Sequence, residues 1–206
     1  MIKRLFSMVL FAAMLVLGNG LANAATVAIA LDTPAGMFSE PEKVNESLQE
    51  TLDKIFAGNS NLTFLPIEDA TGYLRIYREE HDLIEETYSD TDFVRMKTLK
   101  KEDYYNVCRY FNADYLIYVN VTNSVPKHSG GFLTSGQSVN VTTDFRVWSN
   151  GKNDFAFMKR LSAKGSSNTI YTGGDGSSSR AVEKGLKKCL SLLEKEAAKI
   201  NSAIAG

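Results

Sequence analysis

The sequence contains few of the residues that crosslink or bind metal in small exported domains. It has two cysteines and two histidines among 206 residues. Two cysteines are too few for the disulfide framework of a secreted scaffold. The four residues are also too widely spaced for a zinc site, since they are His81, Cys108, His128 and Cys189.

The sequence also lacks the motifs of common enzyme classes. It has no G-x-S-x-G nucleophile elbow and no Walker loop with its lysine. We interpret His81 as a packing residue and His128 as a solvated loop residue, because no spacing supplies either with a nucleophile and an acid. We therefore expect no catalytic residue, no cofactor and no metal. A secreted hydrolase with an unlocated site and a small-ligand carrier stay open as alternatives.

Two further segments have weak ligand patterns. The Gly-rich residues 173–176 precede a predicted helix, where free amides can hold an anion, but Asp175 would repel phosphate. Asp90 and Asp92 could supply calcium ligands, but the loop departs from the EF-hand at Val94. We interpret the first segment as a turn and the second as a solvated acidic loop.

Residues 1–24 have the pattern of a secretory signal peptide. Lys3 and Arg4 precede an apolar run over residues 5–17, and residues 22–24 form an A-x-A cleavage site. The run is shorter than the roughly 20 residues of a membrane span, and no second long apolar segment follows. We expect cleavage before Ala25, no transmembrane segment in the mature chain, and a periplasmic or secreted location. Because Ala25 is not a cysteine, we expect no lipid anchor.

The mature chain has the length of one domain and a small negative charge. Without Lys3 and Arg4 it has 21 basic and 24 acidic residues, a net charge of about −3. This balance argues against nucleic acid as a partner, because such binding draws on neutralised phosphates. We treat residues 25–206 as a single domain.

The two cysteines leave two arrangements open. Export to an oxidising compartment permits a Cys108–Cys189 disulfide, provided that the Cα atoms lie within about 7 Å. Both cysteines also lie on apolar faces of predicted helices, which is typical of buried free thiols.

Apolar periodicity predicts alternating strands and helices in the first part of the mature chain. Three apolar runs are typical of buried strands, at residues 26–31, 62–67 and 113–122. Helical periodicity lies between them, at residues 39–58, 72–86 and 99–111. Ser39 and Glu42 form a capping box at the start of the first helix, and Asn112 ends the third.

The last part of the chain predicts a hairpin and one long helix. Residues 139–148 alternate between apolar and polar, and Asn150-Gly151 is the preferred type I′ turn. A return strand at 154–164 and a Gly/Ser-rich loop at 165–179 follow. One apolar stripe then predicts the helix: Val182, Leu186, Cys189, Leu190, Leu193, Ala197, Ile200 and Ile204. The order β-α-β-α-α-β-β-β-α predicts an α/β domain, with a mixed sheet of about five strands and packed helices.

Three features of this order occur together: residues 27–30 (VAIA) after the signal, residues 112–117 (NADYLI) opening the third strand, and the hairpin before the C-terminal helix. In them the chain resembles the curli-secretion-lipoprotein-like envelope domains. Related shapes occur in the TolB N-terminal domain and in lipoprotein activators of penicillin-binding proteins. The resemblance implies non-enzymatic work in the bacterial envelope, such as secretion, assembly or enzyme activation. This chain departs from the lipoprotein members by lacking the lipid-attachment cysteine.

Two regions are candidates for partner contact. The connection at residues 123–136 is longer than the about 2–5 residues of a usual hairpin loop, and its Phe132 and Leu133 have no periodic place in a core. Arg146 and Trp148 lie on the polar side of the alternating strand, and both residue types are favoured in interfaces. Alternatively, Phe132 and Leu133 fold back over the sheet edge, and a helix covers Trp148. We predict a protein or envelope partner whose identity the sequence does not specify.

Overall fold

The computed structural model describes residues 24–34, 36–85, 95–130, 134–170 and 178–205. Up to the fifth strand, strands and helices alternate except that the short third and fourth strands follow each other among the described elements. The chain then continues through three further strands and two helices. The elements of this part of the chain are β1 (Ala25–Asp32), α1 (Pro41–Ile55), β2 (Leu62–Phe64), α2 (Ile67–Glu80), β3 (Ile84–Glu85), β4 (Arg95–Met96), α3 (Lys101–Tyr110), β5 (Tyr115–Asn123), β6 (Lys127–Gly130), β7 (Thr134–Ser149), β8 (Asp154–Ile170), α4 (Ser178–Glu194) and α5 (Ala197–Ala205).

Six strands form one mixed sheet. Its order is β2-β1-β5-β7-β6, and β8 also pairs with β7. β1 is parallel to both β2 and β5, because a helical crossover precedes each of those partners. β7 is antiparallel to β5, β6 and β8. The predicted α/β fold with a mixed sheet is confirmed.

Helices cover both faces of the sheet and create two apolar cores. α1, α4 and α5 pack on the face to which Val27 and Ile29 of β1 point. α2 and α3 pack on the other face, to which Ala28 and Ala30 point. Because successive strand residues face opposite sides, β1 is buried on both faces, which explains its continuous apolar run.

The C-terminal helix α5 is tied to elements from early in the chain. The side-chain amide of Asn201 donates a hydrogen bond to the carbonyl of Ile55 at the end of α1. The hydroxyl of Tyr115 on β5 donates to the carbonyl of Ile204, at 2.9 Å. α5 therefore completes the first core by joining the first helix to the central strands.

α4 approaches the β7–β8 hairpin closely at two glycines. A Cβ atom on Gly165 would lie 1.7 Å from the carbonyl oxygen of Ala181. A Cβ atom on Gly185 would lie 2.4 Å from a methyl carbon of Val141. Only glycine permits this approach of helix and strand backbone.

The starts of the first two helices differ from the prediction. The Ser39–Glu42 capping box is wrong: α1 begins at Pro41 with Glu40 at its N-cap and without a side-chain cap. The Ser39 hydroxyl instead donates to Glu183 of α4, at 2.8 Å. α2 begins earlier than predicted, directly after Pro66, and ends at Glu80.

The strands of the last part are longer than predicted. The connection at 123–136 contains β6, and β8 continues through residues assigned to a Gly/Ser-rich loop. The predicted two-residue turn is a four-residue turn at 150–153, in which Asn153 has a φ of 49°. The predicted single final helix is interrupted at Lys195 and Glu196, where Glu196 accepts hydrogen bonds from Lys159 and Lys199.

Candidate functional site

A buried ion pair closes the carboxyl end of β1. The Arg78 guanidinium of α2 donates to both carboxylate oxygens of Asp32, with Nε–Oδ1 at 3.0 Å and Nη2–Oδ2 at 2.6 Å. The Tyr118 hydroxyl of β5 donates to the same carboxylate. In open α/β sheets, ligands often bind in the crevice at the carboxyl end of a strand whose neighbours are reached by crossovers in opposite directions. The carboxyl end of β1 is such a position. Here the side chains of Asp32, Arg78 and Tyr118 occupy the crevice.

Arg78 also organises the backbone around it. Its Nη1 donates to the carbonyls of Leu83 and Lys97, at 3.1 and 2.8 Å, and so fixes both sides of the short β3–β4 ladder. A buried charge requires such complete hydrogen bonding. Burial raises the pKa of Tyr118, and the charge of Asp32 adds to this effect, so its phenol stays neutral.

Arg146 lies beside this cluster among aromatic rings. Its guanidinium carbon is 6.0 Å from the ring centroids of Tyr104 and Tyr118, and 5.7 Å from that of Phe155. Its Nη1 donates to the Tyr104 hydroxyl at 2.9 Å. Burial raises the pKa of Tyr104 to about 12, although the charge of Arg146 opposes the rise. Arg146 is half-buried. Much of this side chain, which we predicted as a partner contact, therefore packs against the three rings.

Trp148 has no exposed surface. Its ring stacks against Tyr104 of α3, with centroids 5.9 Å apart, and meets the edge of Phe155 at 5.1 Å. Of the two arrangements expected for Trp148, the structure has the one in which a helix covers it. Trp148 therefore belongs to the second core, and no partner can reach it in this fold.

The exposed aromatic surface lies instead on α2 and α3. The rings of Tyr73 and Tyr110 are stacked, with centroids 3.7 Å apart and an angle of 15°. Phe111 meets the edges of both rings, at 5.5 and 4.9 Å. Tyr110 is 64% exposed, and Ile76, one turn after Tyr73, is 52% exposed. We call Tyr73, Ile76, Tyr110 and Phe111 the aromatic ridge.

A buried tyrosine fixes the two helices that carry the aromatic ridge. The Tyr77 hydroxyl of α2 donates to Asp103 at 2.9 Å and accepts from Asn106 at 3.1 Å, both on α3. Tyr77 is only 4% exposed, and burial raises its pKa. The ridge is therefore a preformed surface, which limits the ordering cost of binding.

The other predicted residues are dispersed. Cys108 and Cys189 are buried free thiols on opposite faces of the sheet. Burial raises the pKa of Cys108 to about 12 and also raises the pKa of Cys189. His81 is exposed and contacts the Tyr77 ring, and His128 is exposed on β6. Phe132, Leu133, Asp90, Asp92 and residues 173–176 lie outside the described residues.

The described residues form an open acidic cleft but no metal cluster. The cleft has a volume of about 600 Å³ and lies between α1 and the start of α2. Carboxylates dominate its walls, including Glu46, Glu50 and Glu68.

Within the described ranges no three His, Cys, Asp or Glu residues converge as metal ligands. None of the described helices is long and apolar enough to cross a membrane.

No protein-family model and no curated protein matches the sequence. Among solved structures, the chain is similar to a hypothetical protein from Chlamydia trachomatis, with 12% identity, 88% of this chain and 99% of that chain covered, and a TM-score of 0.42. A neuraminyllactose-binding hemagglutinin homolog from Helicobacter pylori has 10% identity, coverage of 88% and 90%, and a TM-score of 0.40. The C-terminal domain of LpoB from Escherichia coli has 12% identity, coverage of 74% and 91%, and a TM-score of 0.29.

Other similar structures are described as bacterial lipoproteins. The neighbours thus include proteins of the bacterial envelope, but identities and TM-scores this low do not assign a function to this chain. The curli-secretion-lipoprotein-like family expected from the sequence is not confirmed.

Proposed function

We propose that this chain is an exported, non-enzymatic binding or accessory protein of the bacterial cell envelope, and that the aromatic ridge binds its protein partner. The observation that carries the proposal is the exposed stack of Tyr110 on Tyr73. Tyrosine gives a large contact area at a low cost in side-chain entropy and is enriched among residues that dominate binding. Ile76 and Phe111 extend the apolar area around the stack.

The most strongly interacting titratable groups favour a structural role over catalysis. Asp32 and Arg78 have side chains that are only 4% and 3% exposed, and each is saturated by protein partners. A catalytic acid or base must reach its substrate, and these groups face inward. The buried cluster therefore supports the scaffold that presents the aromatic ridge.

Site-specific photocrosslinking tests the proposed contact. A crosslinking amino acid at Tyr110 should give a discrete adduct in living cells, whereas the same probe at Met158 should not. Met158 is the control because it is 59% exposed and lies on β8 rather than on α2 or α3, which carry the aromatic ridge. Tyr110→Ser should abolish capture of the crosslinked protein without changing the melting temperature. Equal adducts at both positions, or no adduct at Tyr110, would overturn the proposal.

Phe132 and Leu133 remain a second proposed contact. They are apolar residues without a periodic place in a core, in the sequence segment that connects β6 to β7. Replacing both with Ser should weaken capture of the same partner while the thermal melt stays nearly unchanged. Normal capture by the folded double variant would remove these residues from the interface.

Processing before Ala25 is part of the proposal, and the A-x-A sequence at residues 22–24 supports it. N-terminal sequencing of the exported protein should read Ala-Thr-Val-Ala. Retention of the first 24 residues would contradict export as a cleaved protein.

A further inference from the structure

Helices α1 and α4 lie side by side on one face of the sheet and run in the same direction. Ser39, just before α1, donates to Glu183 near the start of α4, at 2.8 Å and a separation of 144 residues. Lys54, near the end of α1, donates to Glu194 at the end of α4, at 3.0 Å and a separation of 140 residues. Residues that lie at the same level on the two helices are therefore separated by about 142 positions.

The outer surfaces of these two helices carry opposite charges with the same spacing. On its outer surface α1 exposes four carboxylates, and α4 with the turn after it exposes four lysines. One of each, Glu50 and Lys187, lies outside the pattern that the other three share. The residues that share it are Glu42, Glu46 and Asp53 on α1, and Lys184, Lys188 and Lys195 on α4 and its turn. Each set follows the spacing i, i+4, i+11, which forms one row along a helix.

The two rows are also level with each other. Each lysine follows a carboxylate by 142 positions, which lies between the separations at the two interhelical contacts. We call this surface the two-row face. None of its six charged residues takes part in an ion pair with another described residue. Two of the six have other hydrogen bonds, since Lys188 donates to the carbonyl of Lys164 and Asp53 accepts from Gln49, each at 2.7 Å. The acidic row also lines the open cleft between α1 and the start of α2. All six side chains are exposed and therefore open to a partner.

We infer that the two-row face binds a second copy of this chain and forms a two-fold symmetric dimer. A two-fold axis parallel to the helices and midway between them places each acidic row over the basic row of the other copy. Glu42 then faces the partner's Lys184, Glu46 faces the partner's Lys188, and Asp53 faces the partner's Lys195. The same pairs recur by symmetry, as in any isologous interface.

The charge pattern also excludes the competing symmetric arrangement. A two-fold axis across the helices would place α1 over α1 and α4 over α4, so that like charges would face each other. Like-charge juxtaposition opposes association, whereas complementary rows fix the register of two surfaces. The face lacks large apolar anchors, so we expect a weak dimer that depends strongly on salt. This inference does not depend on the partner contact proposed for the aromatic ridge.

Matched charge reversals test the dimer. One variant, Glu42→Lys/Asp53→Lys, reverses the charges at both ends of the acidic row, and another, Lys184→Glu/Lys195→Glu, reverses those at both ends of the basic row. Lys188 is left unchanged because its Nζ donates to the carbonyl of Lys164 at 2.7 Å. A four-substitution chain carries both reversals. The control, Glu80→Lys/Glu102→Lys, makes the same charge change as the first variant on α2 and α3, which cover the other face of the sheet.

Sedimentation equilibrium of the purified exported protein measures association, and thermal melts verify folding. The native protein should dimerise at about 20 mM salt and associate about tenfold more weakly at about 500 mM, because the screening length falls from about 20 to about 4 Å. Each single-row variant should be monomeric. Mixing the two should give a heterodimer, and the four-substitution chain and the control should dimerise like the native protein.

Three results would overturn the inference. They are a native monomer in low salt, loss of dimer in the control equal to that in Glu42→Lys/Asp53→Lys, and no recovery in either the mixture or the four-substitution chain. Binding of a monomeric native protein to vesicles of anionic phospholipid would instead assign the lysine row to a membrane surface.

Discussion

Arg78 and Asp32 form a bidentate ion pair in the protein interior. Its two hydrogen bonds are 3.0 and 2.6 Å long, and both side chains are at most 4% exposed. The pair joins α2 to the end of β1. The third guanidinium nitrogen, Nη1, donates to the backbone carbonyls of Leu83 and Lys97. One side chain thus connects a helix, the central part of the sheet and the short ladder beside it.

Removing Arg78 should therefore destabilise the protein strongly. Arg78→Ala leaves the Asp32 carboxylate buried without its counter-charge, which typically costs about 3–5 kcal/mol of unfolding free energy. Arg75→Ala on the same helix is the matched control, because Arg75 is 80% exposed and pairs only with Glu79. We expect the control to change stability by less than about 0.5 kcal/mol. Urea denaturation measures both, and equal losses would contradict a special role for the buried pair.

Buried tyrosines should make the fold sensitive to alkali. The pKa of Tyr104 is about 12 in the folded protein and about 10 in an unfolded chain. The stability gained by keeping its phenol neutral is therefore complete below pH 10 and is lost as the pH rises through 12. The loss should be about 3 kcal/mol for this residue, since each pKa unit corresponds to about 1.4 kcal/mol. Unfolding free energies measured between pH 9 and pH 12 should fall less steeply for Tyr104→Phe, and an unchanged slope would contradict the assignment.

Two glycines should respond to alanine in opposite directions. Gly165→Ala places a methyl group against the Ala181 backbone and should cost at least about 3 kcal/mol, the upper range for overpacking. Gly72→Ala lies within α2 with nothing within 4 Å of the new atom, and should stabilise by about 0.5–1 kcal/mol. Thermal melts distinguish the two signs. A neutral Gly165→Ala would show that α4 does not approach the hairpin this closely.

The two cysteines should stay unbonded in the exported protein. They lie in cores on opposite faces of the sheet, and burial raises the pKa of both thiols. Alkylation should be slow in the native state, because the thiolate is the reactive form. After unfolding without reductant, mass spectrometry should find two alkylated cysteines. A mass with no alkylation would indicate a disulfide and contradict the structure.

Apolar periodicity predicts most of the fold but misplaces α2. The helix predicted at residues 72–86 included His81 and Ile84, but α2 ends at Glu80 and Ile84 lies in β3. The buried position one turn after Leu74 is occupied by Arg78. An arginine in a sequence indicates a surface position, and its burial depends on Asp32, which lies 46 residues earlier. No local pattern contains that information.

Polar strands were missed for a different reason. β6 has the sequence KHSG, and the second half of β8 contains mainly glycine, serine and asparagine. Both are strands because β7 supplies backbone hydrogen bonds to them, and these bonds do not depend on side-chain type. Composition alone therefore indicated loops.

The aromatic ridge was missed because it is formed by two helices. The stacking of Tyr73 on Tyr110 joins residues that are 37 positions apart in the sequence. The two helices that carry these rings are joined by the hydrogen bonds of the Tyr77 hydroxyl with Asp103 and Asn106 on α3. Sequence spacing within one helix cannot predict such a pair.

The attachment of α5 to Ile55 and Tyr115 has a consequence for the order of events in synthesis and export. The first helix and the central strands are made early, but α5, which completes their core, is made after every other described element. A chain interrupted before residue 197 leaves apolar surface of that core uncovered, and such surface promotes aggregation and degradation. Translation through α5 is therefore required before the chain can cover the core that its first helix and central strands begin.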